Sequence, residues 1–184
     1  MIEKEFKILI TKKKYEELND AFNWDESVEQ ENFYYVDAKR VLKKKKINVR
    51  VRKDEKKILL QIKSSVNSEG NLHISNEMEE EIKEVPFKIN SDFLEKRIGT
   101  NVGELYLIGF LKTYRKECHW DKFTIICLDE SSYLGTVDYE LEIEFTNQEL
   151  NSELLNKLKG HGIFLNKSSY GKKSRFMRKI ESII

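Results

Sequence analysis

Cysteine and histidine are scarce in this sequence, and their spacing argues against several kinds of site. The two cysteines, Cys118 and Cys127, form no CxxC motif, and on one continuous strand their side chains would point to opposite faces. We therefore expect two reduced, packed thiols rather than a disulfide or a zinc site. The three histidines, His73, His119 and His161, are scattered, with no HExxH motif and no neighbouring nucleophile. This distribution disfavours a histidine-based metal site or a catalytic triad.

The sequence also lacks long apolar runs and an excess of one charge. No segment approaches the ~20 apolar residues that span a bilayer, and charged residues stand near the N-terminus where a signal peptide would carry its apolar core. We therefore expect a cytoplasmic protein without a membrane partner. The 33 Lys and Arg residues nearly balance 32 Asp and Glu residues, leaving a formal net charge of +1. This balance argues against a dedicated nucleic-acid partner, although local patches can still bind phosphates.

The length and the coarse pattern predict one domain, residues 1–184, of mixed α and β structure. Thr11 is a suitable cap for a helix, residues 23–31 are polar and predict a loop, and residues 32–37 predict a short aromatic strand. Residues 86–111 have a mainly helical pattern, and a second amphipathic helix is expected over 148–159. The sequence contains no internal repeat, low-complexity tract or linker.

Carboxylates alternate with apolar residues in two predicted strands. The opening stretch, residues 2–8, places Glu3, Glu5 and Lys7 on one face and apolar side chains on the other. Residues 138–145 alternate most regularly, with four carboxylates on one face. These four are Asp138, Glu140, Glu142 and Glu144. A single strand of this kind is typical of a solvated sheet face, but the repetition favours a dedicated ionic surface.

Cations occupy the polar face of three other predicted strands. Arg50 and Arg52 share a face in residues 47–53, Lys63 follows in the next strand, and Arg115 lies in residues 111–116. The basic run at residues 43–46 is more typical of a solvated edge than of a nucleic-acid or membrane patch.

Some of these strands carry acids on the polar face and others carry cations. A sheet face that only contacts water does not require this sorting. If the sheet closes with its apolar face outward against helices, the charged face becomes a polar tunnel. Buried charge without compensation is costly, so a ligand must satisfy both signs. A polyphosphate with divalent cations does so, because Arg and Lys bind phosphoryl oxygens while clustered carboxylates hold Mg²⁺ or Mn²⁺.

At this point the chain resembles the CYTH superfamily, the triphosphate tunnel metalloenzymes, over essentially its whole length. Residues 3–7, EKEFK, fit the ExExK signature, residues 49–52 the RxR strand, Ile62 and Lys63 the LK position, and residues 139–144 the late ExExE strand. The resemblance implies an α+β fold built on an eight-stranded antiparallel closed β-barrel with surrounding helices. It also implies divalent-metal-dependent hydrolysis of a triphosphate-containing small molecule.

The resemblance assigns roles position by position. The implied metal ligands are Glu3, Glu5, Glu140, Glu142 and Glu144, with Asp129 as an auxiliary. The implied phosphate clamp, which also carries the catalytic electrostatics, is Lys7, Arg50, Arg52, Lys63 and Arg115. Lys172 resembles the family's C-terminal, substrate-binding tunnel lysine, with adjacent Lys173 as the alternative register. Glu79, or alternatively Glu77, resembles a catalytic acidic position that holds a second metal or orients water. Some relatives carry a basic residue near position 76, where this chain has Asn76.

The implied mechanism is in-line attack of water on the terminal phosphorus, with Mg²⁺ or Mn²⁺ as cofactor. Inorganic tripolyphosphate is the leading substrate, with nucleoside triphosphates next. The alternatives are an adenylyl cyclase or thiamine triphosphatase of the same fold, or a non-catalytic module that binds polyphosphate or the triphosphate end of RNA. Tyr34 or Trp120 could stack on an organic group, but packing is the favoured interpretation of both.

Overall fold

The computed structural model describes residues 2–69, 72–99, 101–146, 149–166 and 169–183, with only the backbone for residues 67–69. This part of the chain forms nine strands and five helices. The strands are β1 (Ile2–Ile10), β2 (Glu26–Asp37), β3 (Ile47–Lys53), β4 (Ile58–Glu69), β5 (Leu72–Glu81), β6 (Lys88–Ile89), β7 (Leu105–Asp121), β8 (Thr124–Tyr133) and β9 (Thr136–Phe145). The helices are α1 (Lys12–Ala21), α2 (Val41–Lys44), α3 (Ser91–Ile98), α4 (Ser152–Gly160) and α5 (Lys172–Glu181).

Eight of these strands close into an antiparallel barrel, as predicted. Their order is β2-β3-β4-β5-β1-β9-β8-β7, and pairing of β2 with β7 completes the ring. The two-residue strand β6 pairs with the start of β7 outside the ring. The first strand of the chain lies between β5 and β9. This position brings the Glu3 and Glu5 strand beside the strand of Glu140, Glu142 and Glu144.

The apolar face of the barrel points outward against the helices, which confirms the predicted inversion. On one side, Leu18 of α1 and Leu154 of α4 pack over apolar residues of β1, β8 and β9. On another side, Leu42 of α2 and Leu94 of α3 cover β3 and β4. Each helix thus buries one apolar stripe on the wall, and the interior is left to polar side chains. The Thr11 hydroxyl accepts a hydrogen bond from the Lys14 amide at 3.2 Å, as expected of a helix cap.

Helix α5 packs against the barrel through a third, smaller cluster. Phe176 packs with Tyr34 of β2, Leu111 of β7 and Tyr133 of β8, and the Phe176 and Tyr34 ring centroids are 5.4 Å apart. Gly109 of β7 permits this approach, because a Cβ placed there would lie 2.9 Å from Phe176 Cζ. Its φ of +141° is also a backbone conformation that favours glycine. The chain therefore brings α5 onto the barrel through one aromatic ring and one glycine.

Two predictions about secondary structure were wrong. Residues 26–31 belong to the long strand β2 rather than to a loop, and residues 105–111 belong to β7 rather than to a helix. Only Ser91–Ile98 of the segment 86–111 is helical, and the late helix begins at Ser152.

Three further expectations concern two aromatic rings, the cysteines and membrane-spanning helices. Tyr34 is 1% exposed and Trp120 packs edge-on to Phe22, so both rings are packing residues as favoured. Cys118 and Cys127 are free thiols on neighbouring strands. Among the described residues, no helix is both long and apolar enough to cross a bilayer.

Candidate active site

The barrel encloses a cavity of about 490 Å³ whose wall is almost entirely ionic and polar. All but two of the site residues predicted from the sequence line it. These are Glu3, Glu5, Lys7, Arg50, Arg52, Lys63, Glu79, Arg115, Glu142, Glu144 and Lys172. The exceptions, Glu140 and Asp129, are fully buried and contact Lys172. Apart from Lys172, which lies on α5, these lining side chains are placed on the inner face of a closed barrel by the alternation along each strand.

Three carboxylates converge in the interior where β1 and β9 run side by side. Glu5 is directly opposite Glu144 in the strand register, and one carboxylate oxygen from each of Glu3, Glu5 and Glu144 lies within 4.8 Å of the others. Glu5 Oε2 is buried without a hydrogen-bond partner. Burial and the neighbouring acids raise the pKa of Glu144, outweighing Arg115. Converging carboxylates with a free, buried oxygen fit a hard divalent cation, which takes oxygen ligands.

The other acidic residues of β9 have a different environment. Lys172 Nζ lies 2.7 Å from Asp129, 2.9 Å from Glu140 and 2.7 Å from Glu142. Arg115 binds Asp129 through two parallel hydrogen bonds of 2.8 and 2.7 Å and also contacts Glu142. The structure therefore divides the predicted metal ligands into the cluster of Glu3, Glu5 and Glu144 and the pair of Glu140 and Glu142. Cations contact both groups, since Arg115 also lies 3.4 Å from Glu144, but only Glu140 and Glu142 contact Lys172.

The ionisation of this second cluster is mutually reinforced. Burial lowers the pKa of Lys172, but the three carboxylates outweigh burial and hold that pKa well above its ordinary value. Conversely, burial raises the pKa of Glu142, but the surrounding cations hold it well below its ordinary value. Asp129 is 0% exposed, and its pKa is lowered chiefly by Arg115 against the effect of burial. The cluster is a compensated ionic network that fixes the inner surface of β7, β8, β9 and α5.

Arg50 and Arg52 are the free cations of the opposite wall. Arg50 Nε donates to Gln61 Oε1 at 2.6 Å and Arg52 Nε donates to Asn32 Oδ1 at 3.2 Å. Neither forms an ion pair with a carboxylate among the described residues. Burial and the neighbouring arginines lower the pKa of Arg52 to about 10, so it is charged at neutral pH. Neutral amides orient both side chains, and their remaining N–H groups can bind phosphoryl oxygens.

Lys7 and Lys63 lie between the acidic and the cationic walls. Lys7 Nζ is 2.9 Å from Glu5 and 3.6 Å from Glu142, and the carboxylates raise its pKa against the effect of burial. Lys63 contacts Glu3 and lies 3.2 Å from Glu77. Both ammonium groups are therefore placed beside the acidic cluster of Glu3, Glu5 and Glu144.

Lys172 and Lys173 both line the cavity, but their partners differ. Lys172 is held by three carboxylates, whereas Lys173 forms no ion pair with a described carboxylate. Burial and the charge of Arg50, only partly offset by Asp37, lower the pKa of Lys173 to about 8.

Sequence reasoning missed several polar residues of the wall. Asn32 and Gln61 hold the two arginines, and His73 lies opposite Glu5 in the strand register with its Nε2 buried and unpartnered. Burial and Lys7 lower the pKa of His73. The alternation pattern places Gln61 on the polar face with Lys63 but assigns it no role, and His73 could have been found from its even spacing from Glu77 along β5. Glu79, predicted as catalytic, lines the end of the cavity and accepts a hydrogen bond from Gln61.

Comparison with known proteins finds a matching family model and related sequences and structures. The family model described as "CYTH domain" matches residues 1–173. YjbK of Bacillus subtilis (strain 168), whose name carries a provisional triphosphatase assignment, is 29% identical over 166 residues that cover 85% of this chain and 84% of that protein.

Solved structures show the same fold. HpAC1 from Hippeastrum, described as having a dominant triphosphatase activity, superposes with a TM-score of 0.76 at 24% identity and covers 96% of this chain and 95% of its own. The Bacillus halodurans protein bh2851, described as a candidate adenylate cyclase, gives a TM-score of 0.73 at 25% identity, with 94% and 95% covered.

Proposed function

Because the chain belongs to the CYTH domain family, we propose that it is a divalent-metal-dependent triphosphatase. Inorganic tripolyphosphate is the leading substrate, and nucleoside triphosphates are further candidates. The observation that carries this proposal is that one cavity wall holds both kinds of charge. Arg50 and Arg52 form no ion pair with a carboxylate of the described residues, and three carboxylates converge in the same cavity. A linear triphosphate with a bound divalent cation is complementary to both halves at once.

Glu3, Glu5 and Glu144 would hold the cation. When bound, Mg²⁺ or Mn²⁺ would supply charge neutralisation and polarisation of phosphoryl oxygens. Glu140 and Glu142, which resemble further ligands of the family, support the site by fixing Lys172 and Arg115. Lys7 lies near both Glu5 of the proposed cation site and Glu142 of the ionic network. It can therefore bind a phosphoryl oxygen between these two groups of carboxylates.

The protein's own contribution to the chemistry is positioning and electrostatics. Arg50 and Arg52 hold phosphoryl oxygens from one side, with Lys63 and Arg115 adding positive charge around the scissile phosphate. These donors are preorganised by Gln61, Asn32 and Asp129, so little reorganisation accompanies charge development in the transition state. Water in the narrow cavity attacks the terminal phosphorus in line with the leaving oxygen, and no covalent nucleophile is required.

The wider setting of this function is also part of the proposal. Residues 1–184 act as one catalytic domain in the cytoplasm, and the partner is a small triphosphate rather than a nucleic acid or a membrane. The near-neutral net charge of +1 supports a small ligand that enters a local site.

The experiment that tests the proposal measures phosphate release from tripolyphosphate, ATP and thiamine triphosphate with Mg²⁺, Mn²⁺ or EDTA. We expect release from tripolyphosphate that requires metal and is lost in Glu5→Gln. Glu16→Gln, an exposed carboxylate on α1, is the matched control and should retain activity. Pyrophosphate production from ATP would instead indicate a cyclase, and tight tripolyphosphate binding without any turnover would indicate a binding module.

A further inference from the structure

One sector of the outer barrel wall, where β2 pairs with β7, keeps exposed side chains. It lies between the part covered by α2 and α3 and the part covered by α1 and α4. Gln30, Asn32 and Thr113 line the central cavity, so the side chains that alternate with them point outward. We call this outward surface the aromatic face and define it by six residues, which are Glu29, Glu31, Phe33, Phe110, Lys112 and Tyr114.

Two aromatic side chains of this face are largely open to solvent. Phe110 is 46% exposed and Tyr114 is 43% exposed, although they are only four residues apart on one strand. Phe110 lies opposite Phe33 in the strand register, and the centroids of these two rings are 5.4 Å apart. Single exposed rings are ordinary, but aromatic residues that are grouped on one surface are typical of protein–protein interfaces. The grouping therefore indicates that a second surface covers this face.

The aromatic face carries charge of both signs. Lys112 Nζ lies 3.4 Å from a Glu29 oxygen and 3.5 Å from a Glu31 oxygen. On the other side of β2, the exposed Lys53 lies opposite Glu31 in the strand register. A polyanion would be repelled by the two glutamates and a polycation by the two lysines. Exposed ion pairs contribute little within one chain, so they can be exchanged for pairs with a partner of equally mixed charge.

A second copy of the chain has such a mixed surface in a matching arrangement. Glu31 is opposite Lys112 and Phe33 is opposite Phe110 across the antiparallel pair of β2 and β7. A two-fold axis parallel to these strands, and midway between them, lays β2 of each copy over β7 of the other. Glu31 then meets Lys112 of the second copy, and Phe33 meets Phe110 of the second copy, with each contact made twice. Such an isologous contact is the commonest kind in homo-oligomers.

We propose that the aromatic face is the contact surface of a reversible homodimer. The two barrels pack outer wall against outer wall, as the two sheets of a β-sandwich do. The four strands from β3 to β8 and five residues along each give a face of roughly 14 by 16 Å. This area is smaller than the about 800 Å² per partner that a stable interface buries, so the dimer is weak and depends on concentration.

The first test measures the molar mass of the full chain by sedimentation equilibrium. For a small interface we expect mainly monomer at about 2 µM and a substantial dimer fraction at about 200 µM. Phe110→Glu should raise the dissociation constant by about tenfold or more, because it places an unpaired charge in the centre of the contact. Phe164→Glu changes a ring that is 55% exposed outside the aromatic face, and it is the matched control that should leave the dissociation constant unchanged.

A charge-exchange experiment tests the two-fold arrangement itself. Lys112→Glu alone sets carboxylates against each other at both contacts, and Glu31→Lys alone does the same with ammonium groups. Each variant should therefore be mainly monomeric at about 200 µM. An equimolar mixture of the two variants restores an attractive pair at both contacts and should recover the wild-type dimer fraction. The changes within each copy persist in the mixture, so recovery can arise only from contact between copies.

Three outcomes would overturn the homodimer. The first is a wild-type chain that stays monomeric at about 200 µM, including the case in which only a different protein binds the face. The second is a dimer that persists unchanged in Phe110→Glu, and the third is a mixture of the charge variants that does not recover the dimer. Thermal unfolding shows whether Phe110→Glu is folded, and if it is not, the mixing experiment decides.

Discussion

Lys172 and Lys173 are adjacent in sequence, yet their ammonium groups have different surroundings. Lys172 completes an ionic network with Asp129, Glu140 and Glu142. Lys173 is within the electrostatic influence of both Asp37 and Arg50 and forms no ion pair with a described carboxylate. We propose that Lys172, which contacts three carboxylates, has mainly a structural role. We propose that Lys173, which forms no ion pair with a described carboxylate, binds phosphate.

Replacing each lysine with methionine should separate these roles. Lys172→Met leaves three buried carboxylates without their shared cation, and we expect a loss of about 3–5 kcal/mol in the free energy of unfolding. Lys173→Met removes a cation that is not paired with a described carboxylate, so we expect little loss of stability but a higher KM for tripolyphosphate. Urea denaturation at pH 7 and steady-state kinetics measure the two effects. Equal destabilisation by both substitutions would contradict the assignment.

The pKa of Lys173 makes substrate affinity depend on pH. With its pKa lowered to about 8, the side chain is charged below that pH and neutral above it. We therefore expect the KM for tripolyphosphate to rise between pH 7 and pH 9 in the wild-type protein. In Lys173→Arg the guanidinium stays charged over this range, and the rise should be much smaller. A rise of the same size in both proteins would place the titrating group elsewhere.

At the scale of elements, strands with two similar faces are the ones that sequence patterns failed to identify. β2 begins with polar residues on both faces, because Gln30 faces the cavity while Glu29 and Glu31 pair with Lys112 outside. β7 begins with apolar residues on both faces, because its inner side meets α5 around Leu111 and Phe176. Alternation is lost in each case, so period-two patterns could not reveal these strands. The strands that carry Glu5, Arg50 and Glu142 have one polar face and one apolar face, and they were predicted correctly.

Gly109 determines how well α5 docks on the barrel. Gly109→Ala imposes an unfavourable φ and a Cβ that would lie 2.9 Å from Phe176 Cζ. We expect a destabilisation of about 1–3 kcal/mol and faster amide exchange in α5, since Phe176 must move away. Gly160→Ala is the matched control, because a Cβ there meets nothing within 4 Å and its φ is not positive. Thermal unfolding and hydrogen exchange measure the two effects, and similar results for both variants would contradict the close-packing role.

At the scale of the whole molecule, the sequence predicted the closed barrel and the sign of the charge on the polar face of the acidic and basic strands. It did not predict which residues line the two ends of the tunnel. The ends depend on the tilt and stagger of the strands and on the placement of α5, which no single segment encodes. The division of the late acidic strand, with Glu144 beside Glu5 and Glu142 beside Lys172, was unpredicted for the same reason. Strand spacing alone made all these carboxylates equivalent.

Because several cations line the central cavity, salt should matter more than the net charge of +1 implies. We expect the potential of these cations to steer a polyanion to the cavity, and such potentials are screened over about 8–10 Å at physiological ionic strength. We expect kcat/KM for tripolyphosphate to fall by about tenfold between 20 and 200 mM NaCl, in line with electrostatic steering. Steady-state rates at saturating metal measure this effect, and a flat profile would contradict steering.

The position of β1 between β5 and β9 has a consequence for how the protein matures on the ribosome. Glu3 and Glu5 are synthesised well before the strand that supplies Glu144 and closes the ring beside them. The cluster of Glu3, Glu5 and Glu144, which we propose as the cation site, is therefore incomplete in every nascent chain that stops before β9. Because β1 also pairs with β5, it can join the sheet early while its other edge, which later pairs with β9, is still unpaired. Late synthesis of β9 then couples completion of the barrel to the appearance of activity, so products truncated before β9 should not hydrolyse a triphosphate.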